Sequence, residues 1–426
     1  MDTNSPGFLV VHPTGNTYVR NDLRALLEAG CLRRFLTGLG FSRESFWGRQ
    51  SGPDGWRQEI GRRTYDLPAS LIHAVSAREI TRLAASRLGL HSLTRHETGW
   101  ASVDAVFHHL DSFAAREITS SAKSSASPRA VLTYEDGAEL TLAAARRAAW
   151  TGFYHLPIAY GPYARRLFLE EAERLPAWAP TLQGDRDSPA KLARKERELD
   201  LADVVVCPSR FVLESLPEPV RLAKPCHIVP YGAPTGTPSV SPDPRDSTST
   251  RPLRLLFVGA LTQRKGLADI FAALRLLGCA PDIELVLLGQ PCASWEFYRG
   301  FGVPFTYETP RANSAVLALM AQCDALVLPS IVEGRAIVQL EALSRGLPLL
   351  VTPNAGGEDL VTPGETGFLV PIRRPDILAE KISWLRDHRA SLPAMREACR
   401  TRANLISWTA YRARLRDILA AVPAHP

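Results

Sequence analysis

LRLLFVGAL (253–261), LADIFAALRLLG (267–278) and IELVLLG (283–289) set two patterns side by side. The first and third are mostly apolar runs that meet a glycine, Gly259 and Gly289, while the middle one has apolar residues at helical spacing and a terminal glycine. The series continues. NSAVLALMAQC (313–323) and AIVQLEALSRG (336–346) have helical spacing, the former behind an Asn cap. DALVLPS (324–330), LPLLVTP (347–353) and TGFLVP (366–371) read as strands. Short strands buried on both faces and separated by helices imply parallel βαβ units in an open α/β sheet.

Working outward, residues 234–252 (PTGTPSVSPDPRDSTSTRP) have linker composition. They divide the chain into a first domain, 1–233, and a second, 253–404, with a helix expected over 405–426 that packs on one domain or crosses to the other. The first half repeats the theme more loosely. GFLVVHPTG (7–15), SVDAVFHHL (102–110), RAVLTYE (129–135), GFYHLPIAY (152–160) and ADVVVCPS (202–209) read as strands, and NDLRALLEAG (21–30) and KLARKERELDLA (191–202) as helices. Open α/β sheets bind ligands outside the carboxyl ends of their strands, so the two loop sets would face each other across a cleft.

Composition narrows the class. The chain has 426 residues, 45% hydrophobic and 22% charged, too apolar for a disordered chain. No run approaches the ~20 apolar residues of a membrane helix, and the start has no signal-peptide pattern. Seven scattered cysteines without a CxxC pair fit a reducing cytoplasm. Of the net charge of +6, residues 372–416 hold eleven Lys/Arg against four Asp/Glu. That basic region could meet phosphates or an anionic membrane surface, or be a solvated helical face. No stripe interleaves basic and aromatic residues as nucleic-acid binding would require.

The chemistry concentrates in PSIVEGRAIVQLEALSRGLPLL (329–350). Glu333 falls in the loop after a strand and Glu341 inside the following helix, about 10–12 Å apart along its axis. That span suits a sugar nucleotide: one carboxylate for sugar hydroxyls, the other for ribose hydroxyls, and the diphosphate between them. The helix start near Gly334, Arg335 and Ala336 offers free N–H groups to the diphosphate. In FVGALTQRKGLADI (257–270), Arg264 and Lys265 can neutralise a leaving diphosphate. A solvent-exposed basic loop and two surface glutamates are the plain alternatives.

EGRAIVQLEALSRGLP resembles the EX7E signature of retaining family 4 nucleotide-sugar glycosyltransferases, and FVGAL, RKG, LVLLG and DALVLPS extend the likeness over about 253–371. The resemblance implies a GT-B fold of two Rossmann-like domains. It implies a nucleoside-diphosphate sugar donor and a front-face displacement with no metal and no cofactor. Glu333, Lys265 and Arg264 take the catalytic roles, and Glu341, Gly334, Arg335, Ala336, Gly259, Gly289, Gly15 and Asn16 the donor-binding ones. Ala260 stands where many relatives carry Arg, and Arg335–Ala336 where they carry an aromatic residue and glycine. Arg335 could contact phosphate or point to solvent. Residues 133–180 resemble the acceptor domain of one bacterial branch, which makes His155, Glu135 and His109 acceptor-side candidates, each with a core or hydrogen-bonding role as the alternative.

The acceptor would be a saccharide, a lipid-linked saccharide or a small molecule, with peripheral contact at the inner membrane surface through the basic region. Asp185–Arg186–Asp187 spells a metal-binding DxD, but no hydrophobic strand precedes it, so no metal site is expected there. An epimerase or phosphorylase of the same architecture, or a catalytically degraded partner subunit, are the alternative functions.

Overall fold

The computed structural model describes residues 7–50, 52, 55–121, 129–182, 187–234 and 251–421; Asp185, Arg186 and the linker residues 235–250 lie outside them. Two parallel sheets organise the chain. The first contains β1 (Phe8–Val11), β2 (Leu32–Thr37), β5 (Ile72–Ala74), β6 (Ala130–Tyr134), β7 (Thr151–His155), β8 (Val204–Cys207) and β9 (Cys226–Ile228), in the order β5-β2-β1-β6-β7-β8-β9. Between β2 and β5 runs a short parallel pair, β3 (Phe41–Ser42) with β4 (Thr64–Tyr65). The second contains β10 (Leu253–Val258), β11 (Ile283–Leu288), β12 (Thr306–Glu308), β13 (Ala325–Leu328), β14 (Leu349–Val351) and β15 (Gly367–Leu369), in the order β12-β11-β10-β13-β14-β15. These are two Rossmann-like domains. Strands such as FLVV, AVLTY and ALVL are buried along their whole length, because helices cover both sheet faces.

Strand order reverses between β1 and β6 in the first sheet and between β10 and β13 in the second. Crevices open at such switch points, outside the carboxyl ends of the strands. Gly15 and Asn16 follow β1 and Glu135 follows β6. Arg264 and Lys265 follow β10, and Glu333 follows β13. The domains touch at the same ends: Ser209 Oγ donates to the Gly334 carbonyl at 2.7 Å.

SVDAVFHHL is not a strand. It opens the helix Val103–Ser121, whose buried Ala105, Val106, Leu110, Ala114 and Ile118 recur at helical spacing. Nine residues are too few to separate a buried helix from a strand. The start signal was Ser102, whose Oγ accepts from Ala105 N at 3.0 Å. LRRFLT, unread as a strand, forms β2 beside β1 with Arg33 and Arg34 exposed.

The helix Trp408–Ala421 lies on the first domain. Tyr411 donates its hydroxyl to Asp22, Arg412 pairs with Glu28 at 3.3 Å, and Ala233 N donates to Ile406 O at 2.7 Å. Much of the basic region is engaged within the fold. Arg373 pairs with Glu171 at 2.7 Å, Arg396 with Asp324 at 3.1 Å and Arg416 with Glu28 at 3.1 Å. Arg389 donates to Arg251 O at 2.6 Å and Arg402 to Asp359 O at 3.1 Å. Part of its charge is thus engaged by ion pairs and backbone carbonyls. No helix of the described residues is long and apolar enough to cross a membrane.

Candidate active site

At the second switch point three charged side chains converge. Arg264 Nη1 donates to Glu333 Oε1 at 2.9 Å and to the Val332 carbonyl at 3.2 Å, and Lys265 Nζ donates to Glu333 Oε2. The cations sit on the 3-10 turn Gln263–Lys265, which the chain reaches through Gly259 at φ +143°. The Lys265 and Glu333 side chains are only 12% and 13% exposed, so water screens them weakly. Burial works against the Glu333 charge, yet Lys265 and Arg264 hold its carboxyl below the ordinary range. Burial pulls the Lys265 ammonium below its usual value, with Glu333 opposing and Arg264 assisting. Two cations facing one carboxylate leave a local charge of +1.

Gly289 supports this turn from the next strand. Its φ is +150°, and a Cβ there would lie 1.8 Å from the Gly259 carbonyl oxygen. Gly289→Ala therefore forces the Gly259 turn to move and should cost about 1–3 kcal/mol from backbone strain alone, measurable as a lower midpoint in urea.

Beyond Glu333 the chain passes Gly334, where a Cβ would meet the Pro157 carbonyl oxygen at 1.8 Å. This glycine is what lets the two domains approach. Helix Ile337–Ser344 follows. Ala336 N donates to Ala355 O at 3.2 Å, whereas the Ile337 and Val338 amides have no backbone acceptor among the described residues and can face an anion. On the same helix Glu341 Oε1 accepts from Asn313 Nδ2 at 2.7 Å. Burial raises its carboxyl, against the pull of Asn313 and Arg345. Asn313 does not cap its helix. It is the first helical residue, after Ala312, and its amide is free to hold Glu341.

Arg335 takes neither of its two expected roles. Its side chain is 1% exposed and pairs with Asp359 through both Nη atoms, at 2.7 and 3.1 Å. It fixes the loop after β14 beneath the helix start and does not face the crevice.

The first domain separates its candidates. Gly15 lies against Tyr65 and its carbonyl accepts from Arg20 Nε at 2.9 Å, while exposed Asn16 donates to Tyr18. His155 is fully buried, with Nδ1 3.4 Å from Asp22 Oδ2 and Nε2 3.3 Å from Tyr231 Oη. Asp22 also accepts from Tyr134 at 2.6 Å and from Tyr411. His155 thus belongs to a core network and not to an acceptor site. His109 lies on helix Val103–Ser121 near Arg78 and Arg116, a placement that follows from the helix replacing the expected strand.

Glu135 stands at the first switch point. Lys195 Nζ lies 3.5 Å from its Oε2 and 3.2 Å from Asp187, which Lys191 also approaches at 3.0 Å. Burial pushes the Glu135 carboxyl up to about 7, Lys195 opposing. Folding thus favours the protonated form. Its stabilising contribution is full below the unfolded value near ~4.3 and is lost as pH rises through about 7. Glu135→Gln should flatten the dependence of the urea midpoint on pH between those limits. Sequence reasoning missed Lys195 and His12. The latter directly follows β1, buried against Tyr134 and lowered to about 4 by burial. Among the described residues one group, His96, Glu97 and Asp187, has ligand atoms close enough for a metal ion. Lys191 and Lys195 already lie against Asp187.

Two parallel Rossmann-like domains meeting at their switch points make this a GT-B fold. The sequence model of the family described as "Glycosyl transferases group 1" matches residues 243–404. A D-inositol 3-phosphate glycosyltransferase of Corynebacterium glutamicum (strain R) is 27% identical over 277 residues, 59% of this chain and 65% of that one. A glycogen synthase of Mycobacterium tuberculosis (strain ATCC 25618 / H37Rv) is 34% identical over 160 residues, 36% of this chain and 38% of that one. The chain thus spans under two thirds of the length of these curated relatives. The solved structure of sucrose-phosphate synthase from Thermosynechococcus elongatus superposes with a TM-score of 0.64 over 98% of this chain and 100% of that one, at 18% identity.

Proposed function

We propose that this chain is a glycosyltransferase that moves a sugar from a nucleoside diphosphate to an acceptor hydroxyl with retention of configuration. The observation that carries it is the convergence of Arg264, Lys265 and Glu333 at the β10–β13 switch point, beside the amides of Ile337 and Val338. A diphosphate entering there meets two cations and a helix start, which supply the neutralisation a metal would otherwise provide. Glu333, already set between the cations, turns to the sugar hydroxyls, and Glu341 accepts from the ribose. In the reaction the bond between the anomeric carbon and the phosphate oxygen breaks. The acceptor oxygen bonds to that carbon from the same face, and its proton passes to the departing phosphate. No protein nucleophile is required, so rate comes from positioning and charge stabilisation.

The matching relatives transfer or polymerise sugars according to their names, which supports the class while leaving the donor sugar and acceptor to experiment. UDP-, GDP-, ADP- and dTDP-sugars are screened by thermal shift. The true donor raises the melting temperature, since a ligand at ~100 times its Kd adds about 2.7 kcal/mol to the native state. NMR of the product formed with that donor reads the anomeric configuration. No shift with any of them, at millimolar concentration, overturns the assignment.

A further inference from the structure

Gln263 directly precedes the two cations and is fully buried, and every polar atom it owns is engaged. Its backbone N donates to Thr181 Oγ1 at 3.1 Å. Its Nε2 donates to Glu171 Oε1 at 2.6 Å and to Asp269 Oδ2 at 2.7 Å, and its Oε1 accepts from Ala268 N at 2.8 Å. Glu171 and Thr181 belong to the first domain, on the helix Gly161–Arg174 and the 3-10 turn Pro176–Thr181. Gln263 and Asp269 belong to the second.

The clasp around it is charge-balanced. Glu171 is fully buried and meets Arg373 Nε at 2.7 Å, while Arg174 Nη2 reaches Asp269 at 2.9 Å. Two carboxylates thus face two guanidiniums across the domain boundary. Beside them Trp178 of the first domain inserts between Phe297 and Phe301 of the second, at centroid distances of 4.9 Å to each. Such a fully satisfied polar network holds its members in one geometry and is intolerant of partial loss.

We propose that Gln263 is a positioning residue through which the seating of the first domain sets the geometry of Arg264 and Lys265, so that the grip on a diphosphate depends on a first-domain carboxylate, Glu171. The inference rests on the reading of Arg264 and Lys265 as diphosphate ligands. Its physical content is short: the backbone N and the side-chain Nε2 of Gln263 are both held from the other domain, and the cations are the next two residues. Release of those bonds leaves the 3-10 turn free to reorient while Gly259 and Gly266 on either side, both at positive φ, offer it room to do so.

The test is a double-mutant cycle across the boundary, Glu171→Ala with Gln263→Ala, reading binding of UDP, GDP, ADP and dTDP by calorimetry. The corresponding nucleosides serve as the control lacking phosphate. The expected result is a loss of about 5–20-fold in nucleoside-diphosphate affinity for each single variant and no further loss in the double. Nucleoside affinity stays within twofold, a selectivity that general loosening of the fold would not produce. Thr181→Val, which removes only the acceptor of the Gln263 backbone N–H, serves if either alanine variant fails to fold, and is expected to show the same selective loss. Wild-type protein that binds a nucleoside diphosphate, with variants that match it within twofold or lose affinity additively, overturns the inference and leaves the donor site standing. Wild-type protein that binds none of the four overturns both.

Discussion

Lys265→Ala should reduce turnover about 10²–10³-fold, the usual effect of deleting one preorganised charge-stabilising donor. The ammonium lies on Glu333 in a spot where its side chain is 12% exposed, so its charge acts on the departing diphosphate with little solvent screening. The loss should fall on kcat more than on KM, because negative charge on the phosphate grows as the glycosidic bond breaks. The fold should survive, since Arg264 still pairs with Glu333 at 2.9 Å. Steady-state kinetics on the folded variant decide it, and turnover within tenfold of wild type contradicts the role.

Glu333→Gln should separate binding from catalysis. Removing the carboxylate leaves Arg264 and Lys265 facing each other without a counter-charge, and breaking a buried pair from one side costs about 3–5 kcal/mol. The apparent stability should therefore drop. A nucleoside diphosphate should restore most of it, because the anion replaces the missing charge and binds the folded state alone. Affinity for the diphosphate should equal or exceed that of wild type while turnover falls about 10²–10³-fold, the carboxylate no longer being there for the sugar. Calorimetry, melting curves with and without the nucleotide, and initial rates supply the three readouts. Weaker nucleotide binding in the variant would show that the diphosphate does not take the place of the Glu333 carboxylate between the cations.

The pH dependence of this cluster has a defined sign. The Glu333 carboxyl is held below its ordinary range, so its contribution to stability is complete above the unfolded value near ~4.3 and is lost as pH falls through the folded value. Acidification below that unfolded value should therefore lower the stability of the second domain, and Glu333→Gln should flatten this dependence, read as the urea midpoint against pH.

The second domain was legible because its strands are nearly continuous apolar runs, its helices carry the 3.6-residue period, and glycines mark the turns between them. Glu333, Arg264 and Lys265 could be found the same way, since each follows a strand that sequence alone identifies. Arg335 could not. Its partner Asp359 lies in the loop after β14, and a pair separated by 24 residues leaves no local pattern. His155 shows the same limit more severely. Its surroundings are assembled from Asp22, Tyr134, Tyr231 and Tyr411, the outer two 389 positions apart. The helix Val103–Ser121 failed for a different reason. Its opening residues are apolar enough for either structure, and only the spacing through Ile118 resolves the ambiguity.

The chain leaves the first domain just after Ala233 and returns beside it at Ile406, where the two crossings share a hydrogen bond of 2.7 Å. The second domain is therefore an excursion from a body that both ends of the chain help to build. Opening of the crevice must bend two adjacent peptides together, which favours a swing about one axis and resists rotation about the other. Clipping the chain before Trp408 would also damage the opposite body, because Asp22 would lose the Tyr411 hydroxyl and Glu28 two of its arginines.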